Sequence, residues 1–413
     1  MVGAGVVGLA SAVGLARAGH AVTMFEPADT LHAPSWNNAG HLAVEQVAPL
    51  ASMAMVRSVS RRRFGAGGAL HLPWRHARTW APFGARLLLA ARPHRYRHGA
   101  RALGALLAEA MPAWRRLVET LGVPALLRED GHLLCWNSAA TAERGRRTWQ
   151  QADTGAAVLR DATPTDLAVL AGLLGPDAAI HAARFDGTGQ IADLGLLAVV
   201  LNHALADAGG TVVPARAELA LERGRARVAG HQADLVVVAA GLGSGALLRP
   251  LRFRVPIVAE RGYHVRASAD RWPTHAPPIV WEDRSLIVTR YADRVQAASF
   301  VEVAAPDAPP DSAKWERLEA HLRALRLPIE PPFTRWMGAR PTLPDYLPAI
   351  GRSARVPNLL YAFGHQHLGL TLAAVTGEAV AALAEGRVPA VDLSPFGLAR
   401  FGGLDGRPAT GDR

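Results

Sequence analysis

Hydrophobic positions along the chain change period several times, and each change marks an element. Apolar residues in LASAVGLARA, residues 9–18, recur at helical spacing, Gly19 supplies a stop, and HAVTMFE, residues 20–26, reads as a short apolar strand. Residues 51–150 are mainly helical in pattern, including MPAWRRLVETLG from Met111, and close with strand-like apolar residues from Gly131 to Trp136. A second clear helix runs from Asp193 to Ala208. Gly209 and Gly210 end it before the strand-like TVVPA. The run ADLVVVAAGLGSG from Ala233 to Gly245 reads as a buried parallel strand that ends in a glycine turn, which includes Gly241.

From residue 251 to 334 the pattern changes to strand-like VPIVAERGYHVRA, SLIVTRY and VQAASFV separated by polar turns. A Pro- and Asp-rich loop and one amphipathic helix, KWERLEAHLRAL, follow. The chain then returns through GARPTLPDYLPAIG, a short strand NLLYAFG and a last helix, LTLAAVTGEAVAALAEG. Strands that alternate with helices predict an α/β sheet, and the stretch of consecutive strands predicts an antiparallel sheet inserted into it. Beyond Pro389 the Gly-, Asp- and Arg-rich tail is expected to be disordered.

Composition narrows the chemistry. The chain has 413 residues, half of them apolar, which predicts two cores. A single cysteine, Cys135, excludes an intramolecular disulfide framework and any cysteine cluster for zinc or iron–sulfur, so redox chemistry needs a borrowed cofactor. The first nineteen residues are apolar, but no Lys or Arg precedes the run and Gly3, Gly5 and Gly8 interrupt it, unlike a secretory signal. No later stretch reaches about 18 uninterrupted apolar residues. The expected location is the cytoplasm, peripheral to the inner face of the membrane.

The formal charge of +10 is local. No Asp or Glu occurs from Gln46 to Ala108, while eleven arginines fall between Arg57 and Arg101; without them the rest of the chain is near −1. The patch is interleaved with Trp74, Trp80, Phe83 and Tyr96, which points to peripheral contact with an anionic membrane rather than to nucleic acid.

Gly3, Gly5 and Gly8 have the spacing of a dinucleotide loop: a tight turn, a close backbone approach to the pyrophosphate, and tight packing of helix on strand. The following helix offers free amides and a partial positive charge to phosphates. Glu26, eighteen residues after Gly8 at the end of the next strand, stands where a carboxylate accepts hydrogen bonds from the adenosine ribose. Together these predict the first βαβ unit of a Rossmann-type domain. Only Met1 and Val2 precede Gly3, where a core strand supplies about five residues, so about five further apolar residues are expected upstream. The glycine pattern by itself does not separate FAD from NAD.

GAGVVG with Glu26, the Asn38-Ala39-Gly40 triplet, Arg261-Gly262-Tyr263, RPTLPDYLPAIG from Arg340 to Gly351, and GHQHLGLTLAAVTG from Gly364 to Gly377 together resemble the family of FAD-dependent D-amino-acid dehydrogenases, glycine and sarcosine oxidases and D-amino-acid oxidases. They span nearly the whole chain in the family's order, and the bacterial D-amino-acid dehydrogenases are the nearest type. The resemblance implies a Rossmann-type FAD-binding domain from 1–50, 186–250 and 335–392, an inserted antiparallel-sheet substrate domain from 51–185 and 251–334, and a tail over 393–413. It implies cofactor contacts at Gly3, Gly5, Gly8, Glu26, Asn38, Ala39, Gly40, Gly241, Gly364, His365, Gly369, Leu370 and Thr371. No cysteine stands at the C-terminal flavin motif, so non-covalent FAD is expected.

The resemblance also implies that Arg340 binds the substrate carboxylate, for which a planar guanidinium offers two parallel hydrogen bonds; an exposed or ion-paired arginine is the competing reading. Tyr263 would face the flavin or the carboxylate, unless it is an ordinary sheet aromatic, with Arg261 and His264 pointing the other way. A helix N-terminus after Gly364–Gly369 would stabilise negative charge on the reduced flavin. No metal is expected: His365 and His367 lack further ligands in their motif, and His94 and His98 lie among arginines. The implied activity is oxidation of an amino acid, a D-amino acid or D-proline derivative, to the imino acid by hydride transfer to flavin N5, with a membrane quinone as a candidate electron acceptor. The alternatives are a glycine- or sarcosine-type amine oxidase that uses oxygen, and a non-catalytic dinucleotide-binding redox sensor.

Overall fold

The structure, a computed structural model, describes residues 1–27, 33–175 and 178–402. One sheet is built around the chain's first residues. Val2 bridges in parallel to both Phe25 and Val238, with Val2 N–H donating to the Val237 carbonyl at 2.9 Å and Gly3 N–H to that of Phe25 at 3.0 Å. On one side the strands Thr23–Phe25 and Thr211–Val213 continue the sheet in parallel; on the other stand Val236–Val238, Leu359–Phe363 and, antiparallel, Ala349–Arg352. Helices Val6–Arg17, Leu194–Asp207 and Ala373–Ala384 contribute to the core beside it, because their small and apolar residues leave few polar faces to solvate.

The second sheet has nine strands among the described residues. Its path runs Thr334–Thr342, Val258–Ser268, Arg294–Ala304, Leu286–Arg290, Ile279–Trp281, His132–Trp136, His181–Asp186 and Val158–Asp161, with Leu70–His71 pairing off Arg294–Ala304. It is antiparallel except where Ile279–Trp281 meets His132–Trp136 and where Leu70–His71 joins. The sheet therefore unites strands from both stretches expected to form the inserted unit. The boundary expected before residue 335 falls within the strand Thr334–Thr342, which pairs along its length with Val258–Ser268 and so goes with the large sheet.

The faces of this sheet decide what can meet. Leu133, Cys135, Tyr263, Val265 and Ala297 pack beneath it with Leu318 and Leu322 of the helix Ser312–Ala324. Leu134, Trp136 and Phe185, on the other face, share one core with Leu9, Val13 and Leu370 from around the first sheet.

The expected disorder beyond Pro389 is corrected over 390–402; residues 403–413 lie outside the described residues. Short 3-10 turns at Ser394–Phe396 and Leu398–Phe401 dock, with Phe396 and Leu398 buried. Among the described residues, no helix is long and apolar enough to cross a membrane.

Candidate active site

The glycine turn has the shape a dinucleotide needs. Gly3 adopts φ +103°, and a Cβ there would stand 2.5 Å from the Ala239 carbonyl oxygen, so no other residue fits between the two strands. A Cβ at Gly8 would overlap the Gly3 carbonyl, which is the tight helix-on-strand packing the spacing implied. Gly5 is the N-cap of the helix Val6–Arg17 and meets only Ser35 Oγ, at 3.1 Å from its ideal Cβ. Glu26 closes the turn by accepting the Ala4 N–H at 2.8 Å on Oε2. Gly241, at φ +52°, follows the strand Val236–Val238 with only Pro341 near its ideal Cβ. This cradle of backbone amides, a helix N-terminus and a carboxylate fits the phosphates and ribose of a dinucleotide.

Asn38, Ala39 and Gly40 lead into the short strand His41–Leu42. The Asn38 carbonyl accepts at 2.6 Å from Tyr291 Oη, in the turn between two strands of the large sheet, and at 2.9 Å from Gln296 Nε2 on the second of them, while Asn38 Oδ1 accepts the Gly40 N–H at 3.0 Å. Gly40, at φ +75°, passes close under the Tyr291 hydroxyl. Thr371 Oγ1 accepts the Ala43 N–H at 3.0 Å, and Trp114 Nε1 reaches the Leu370 and Thr371 carbonyls at 3.1 Å each. Thr371 is thus tied to the chain just after Gly40 and to the helix Ala110–Thr120.

Gly364, at φ +77°, precedes a 3-10 turn Gln366–Leu368, and Gly369, Leu370 and Thr371 lead into the helix Ala373–Ala384. His365 is turned inward: its Nε2 lies 3.1 Å from Thr376 Oγ1, and burial lowers its pKa to about 3. Any cofactor contact at this residue would come from its backbone.

Arg340 lies on the face of the large sheet that carries Glu260, Gly262 and His264, since residues two apart on a strand share a face and Arg340 registers with Glu260. Its guanidinium covers Gly262, where a Cβ would stand 2.4 Å from Nη2. Nη1 donates to Glu260 Oε1 at 3.2 Å and to the Phe300 carbonyl at 3.3 Å. The Nε and Nη2 edge makes no hydrogen bond to any described residue, and that edge holds two parallel N–H bonds. Glu260, 2% exposed, also accepts from Tyr346 Oη at 2.9 Å and from Thr342 Oγ1 at 3.4 Å. Burial and the adjacent Glu260 carboxylate push the Tyr346 hydroxyl well above its usual range, so it stays a donor. His367 senses the same group: burial lowers it to about 4, with Glu260 opposing and Arg340 reinforcing the shift.

Tyr263 is a correction. It shares with Arg261 and Glu302 the opposite face of the sheet, so it does not meet Arg340. Its hydroxyl donates to Glu302 Oε2 at 2.7 Å and accepts from Arg261 Nη2 at 2.9 Å, and its ring meets Trp315 edge-on. Arg261 therefore points with Tyr263, not away from it; His264 does point away. Glu260, Thr342, Tyr346 and His367 were not foreseen as neighbours of Arg340. Alternation from Tyr263 could have put Glu260 on the other face, but the register that brings it to Arg340 is not written in either strand.

The basic stretch is largely surface. The helix Met53–Arg62 buries no residue, and Trp74, Leu88 and Leu89 are exposed. Phe83 departs from the expected surface patch, being buried against Tyr346 with ring centroids 6.5 Å apart.

Residues 1–383 match the family described as FAD dependent oxidoreductase (DAO). The chain is 32% identical to a D-amino-acid oxidase of Bradyrhizobium diazoefficiens over 97% of this chain and 98% of that one. It is 29% identical to a D-amino acid dehydrogenase of Cereibacter sphaeroides, over 99% and 97%. Among solved structures, a glycine oxidase from Geobacillus kaustophilus shares the fold at TM-score 0.70 and 21% identity, with 97% of each chain covered.

Proposed function

The chain belongs to the family of FAD-dependent oxidoreductases, and from that premise we propose that it oxidises the Cα–N bond of a D-amino acid or D-proline derivative to the imino acid, which water then hydrolyses. When bound, non-covalent FAD supplies the hydride acceptor. Gly3, Gly5, Gly8 and Glu26 would hold its phosphates and ribose, and the Asn38–Gly40, Gly241 and Gly364–Thr371 segments would line the rest of it. Cys135 is unsuited to a covalent tether, because it is buried beneath the large sheet and burial pushes its thiol up to about 12.

The observation that carries the reading is the unspent Nε and Nη2 edge of Arg340. A substrate carboxylate docked there makes two parallel hydrogen bonds, while Glu260 keeps the guanidinium flat on Gly262. Tyr346 and Thr342 hold Glu260 in turn, so the arginine's direction is set before substrate arrives. His367, neutral near pH 7, adds no competing charge.

The same reading assigns 1–50, 186–250 and the part of 335–392 beyond Thr342 to the cofactor, and 51–185 with 251–342 to the substrate. Electrons would pass to a membrane quinone from a chain docked on the cytoplasmic leaflet through Arg57–Arg101. Anaerobic bleaching of the bound flavin is the test, with a panel of D-amino acids, D-hydroxyproline, glycine and sarcosine, followed by turnover with an artificial electron acceptor. Bleaching by D-amino acids with little oxygen uptake supports a dehydrogenase. Bleaching by none of the panel overturns the reading.

A further inference from the structure

Two clusters bring three metal-ligating groups to within 4.8 Å of one another, and they differ in what fills them. Among His71, Glu302 and Asp311 stands Lys314 Nζ, 2.9 Å from His71 Nδ1, 3.0 Å from Glu302 Oε1 and 2.6 Å from Asp311 Oδ2. The ammonium of the chain's single lysine is already the cation there. His41, Glu45 and His132 form the second cluster, and no lysine or arginine of the described residues hydrogen-bonds to them.

This second cluster carries two buried polar atoms that no protein group pairs. His41 Nε2 and Glu45 Oε2 are both buried without a hydrogen-bond partner, and Glu45 as a whole is 3% exposed. Leaving a buried acceptor unpaired is costly, and two at one place call for a shared partner. His132 is oriented from behind: its Nδ1 lies 2.9 Å from Thr188 Oγ1, which leaves Nε2 as the nitrogen available to a ligand. The His41 and His132 rings meet edge-on at 4.5 Å, and Glu45 Oε1 is steadied by Gln46 Nε2 at 3.1 Å.

We propose that His41, Glu45 and His132 bind one divalent metal ion of the zinc class, with a fourth position left open. Two imidazoles and one carboxylate suit a borderline ion, whereas calcium and magnesium prefer all-oxygen shells. Glu45, alone of the three ligands, lines a groove of about 310 Å³ with Ser52, Arg62, Tyr96 and Trp149, which would let an ion enter from the carboxylate side. The ion would tie the segment that follows Gly40 to the strand His132–Trp136 of the large sheet. Its role is positional, independent of the substrate assigned above.

The test uses the FAD-loaded full chain, stripped with a chelator and titrated with Zn²⁺ by calorimetry and with Co²⁺ by visible absorption. One equivalent should bind, with the intense Co²⁺ bands of a four-coordinate site and a higher Tm. Glu45→Gln should lose that equivalent at concentrations that saturate the parent. Thr188→Val should keep it but weaken it by roughly 10- to 100-fold, as loss of an orienting hydrogen bond does. If Glu45→Gln fails to retain FAD, His41→Gln replaces it. The exposed pair His94 and His98 is the control: His94→Ala/His98→Ala should bind as the parent does. No equivalent in the parent, an equivalent that survives both Glu45→Gln and His41→Gln, or one lost in the His94/His98 variant overturns the proposal.

Discussion

Arg340 is paired before any substrate arrives, and that shapes how its substitution must be read. Removing one partner of a desolvated charge pair costs about 3–5 kcal/mol, so Arg340→Met should lower kcat/KM by roughly two to four orders of magnitude, with Arg340→Lys between. Arg340→Met also strands Glu260, so Tm should fall as well. Adding Glu260→Gln should recover Tm without recovering kcat/KM. An Arg340→Met variant with FAD bound and near-normal turnover would show that the carboxylate is held elsewhere. His365 makes a pH prediction of a different kind. Its folded pKa of about 3 lies below the unfolded value near 6.5, so its stabilising contribution is complete above that pH and is lost progressively as pH falls toward 3. Between pH 7 and pH 5 the loss is about 2 kcal/mol. Tm measured against pH should fall less steeply over that interval in His365→Gln, the remaining slope coming from groups such as His367; an unchanged slope would mean that His365 contributes nothing.

At the scale of elements, the C-terminal turns brace the candidate site. Arg400 donates to Asp345 Oδ2 at 2.7 Å and to the Leu347 and Pro348 carbonyls at 2.9 and 3.0 Å, which holds the turn that presents Tyr346 to Glu260. The Leu398 N–H donates to Tyr361 Oη at 3.1 Å, and Phe396 is fully buried. Phe396→Ala should cost about 3–5 kcal/mol, the usual range for a buried aromatic, read as a lower denaturant midpoint. Arg400→Ala should cost less, about 1–3 kcal/mol, and should raise KM through a loosened Tyr346 turn. Full stability after removal of residues 393–413 would show that the docked turns contribute nothing. The strand Thr334–Thr342 was hard to foresee for a related reason: Gly338 and Pro341 break its pattern, and a proline is tolerated because this is an edge strand.

At the scale of the whole molecule, the charge asymmetry faces outward. Trp74 is 77% exposed and Leu88 50%, beside arginines that no acidic residue in the stretch offsets. Each arginine near an anionic leaflet contributes on the order of 1 kcal/mol, so the chain should sediment with anionic vesicles at low salt and release as salt rises. Trp74→Ala with Leu88→Ala should weaken binding without altering turnover of a soluble acceptor. Equal sedimentation with neutral vesicles would count against an electrostatic docking face.

The glycine turn, Glu26 and the α/β alternation were legible because each rests on local spacing: a φ that only glycine adopts, a helix that must follow it, a period of two or of 3.6; Arg340 was singled out through the resemblance carried by RPTLPDYLPAIG, not through spacing. Local spacing also predicted the strand that carries Tyr263, but not which of its faces carries Arg340. That choice follows from the register of Val258–Ser268 against Thr334–Thr342 and from the helix Ser312–Ala324, which covers the Tyr263 face. The partners of Arg340 come from residues 80 and 40 positions before it, and His41, Glu45 and His132 meet across some ninety residues of chain. Spacing along one segment carries no information about such pairings. They depend on how two sheets pack, because only packing decides which buried polar atoms are left facing one another.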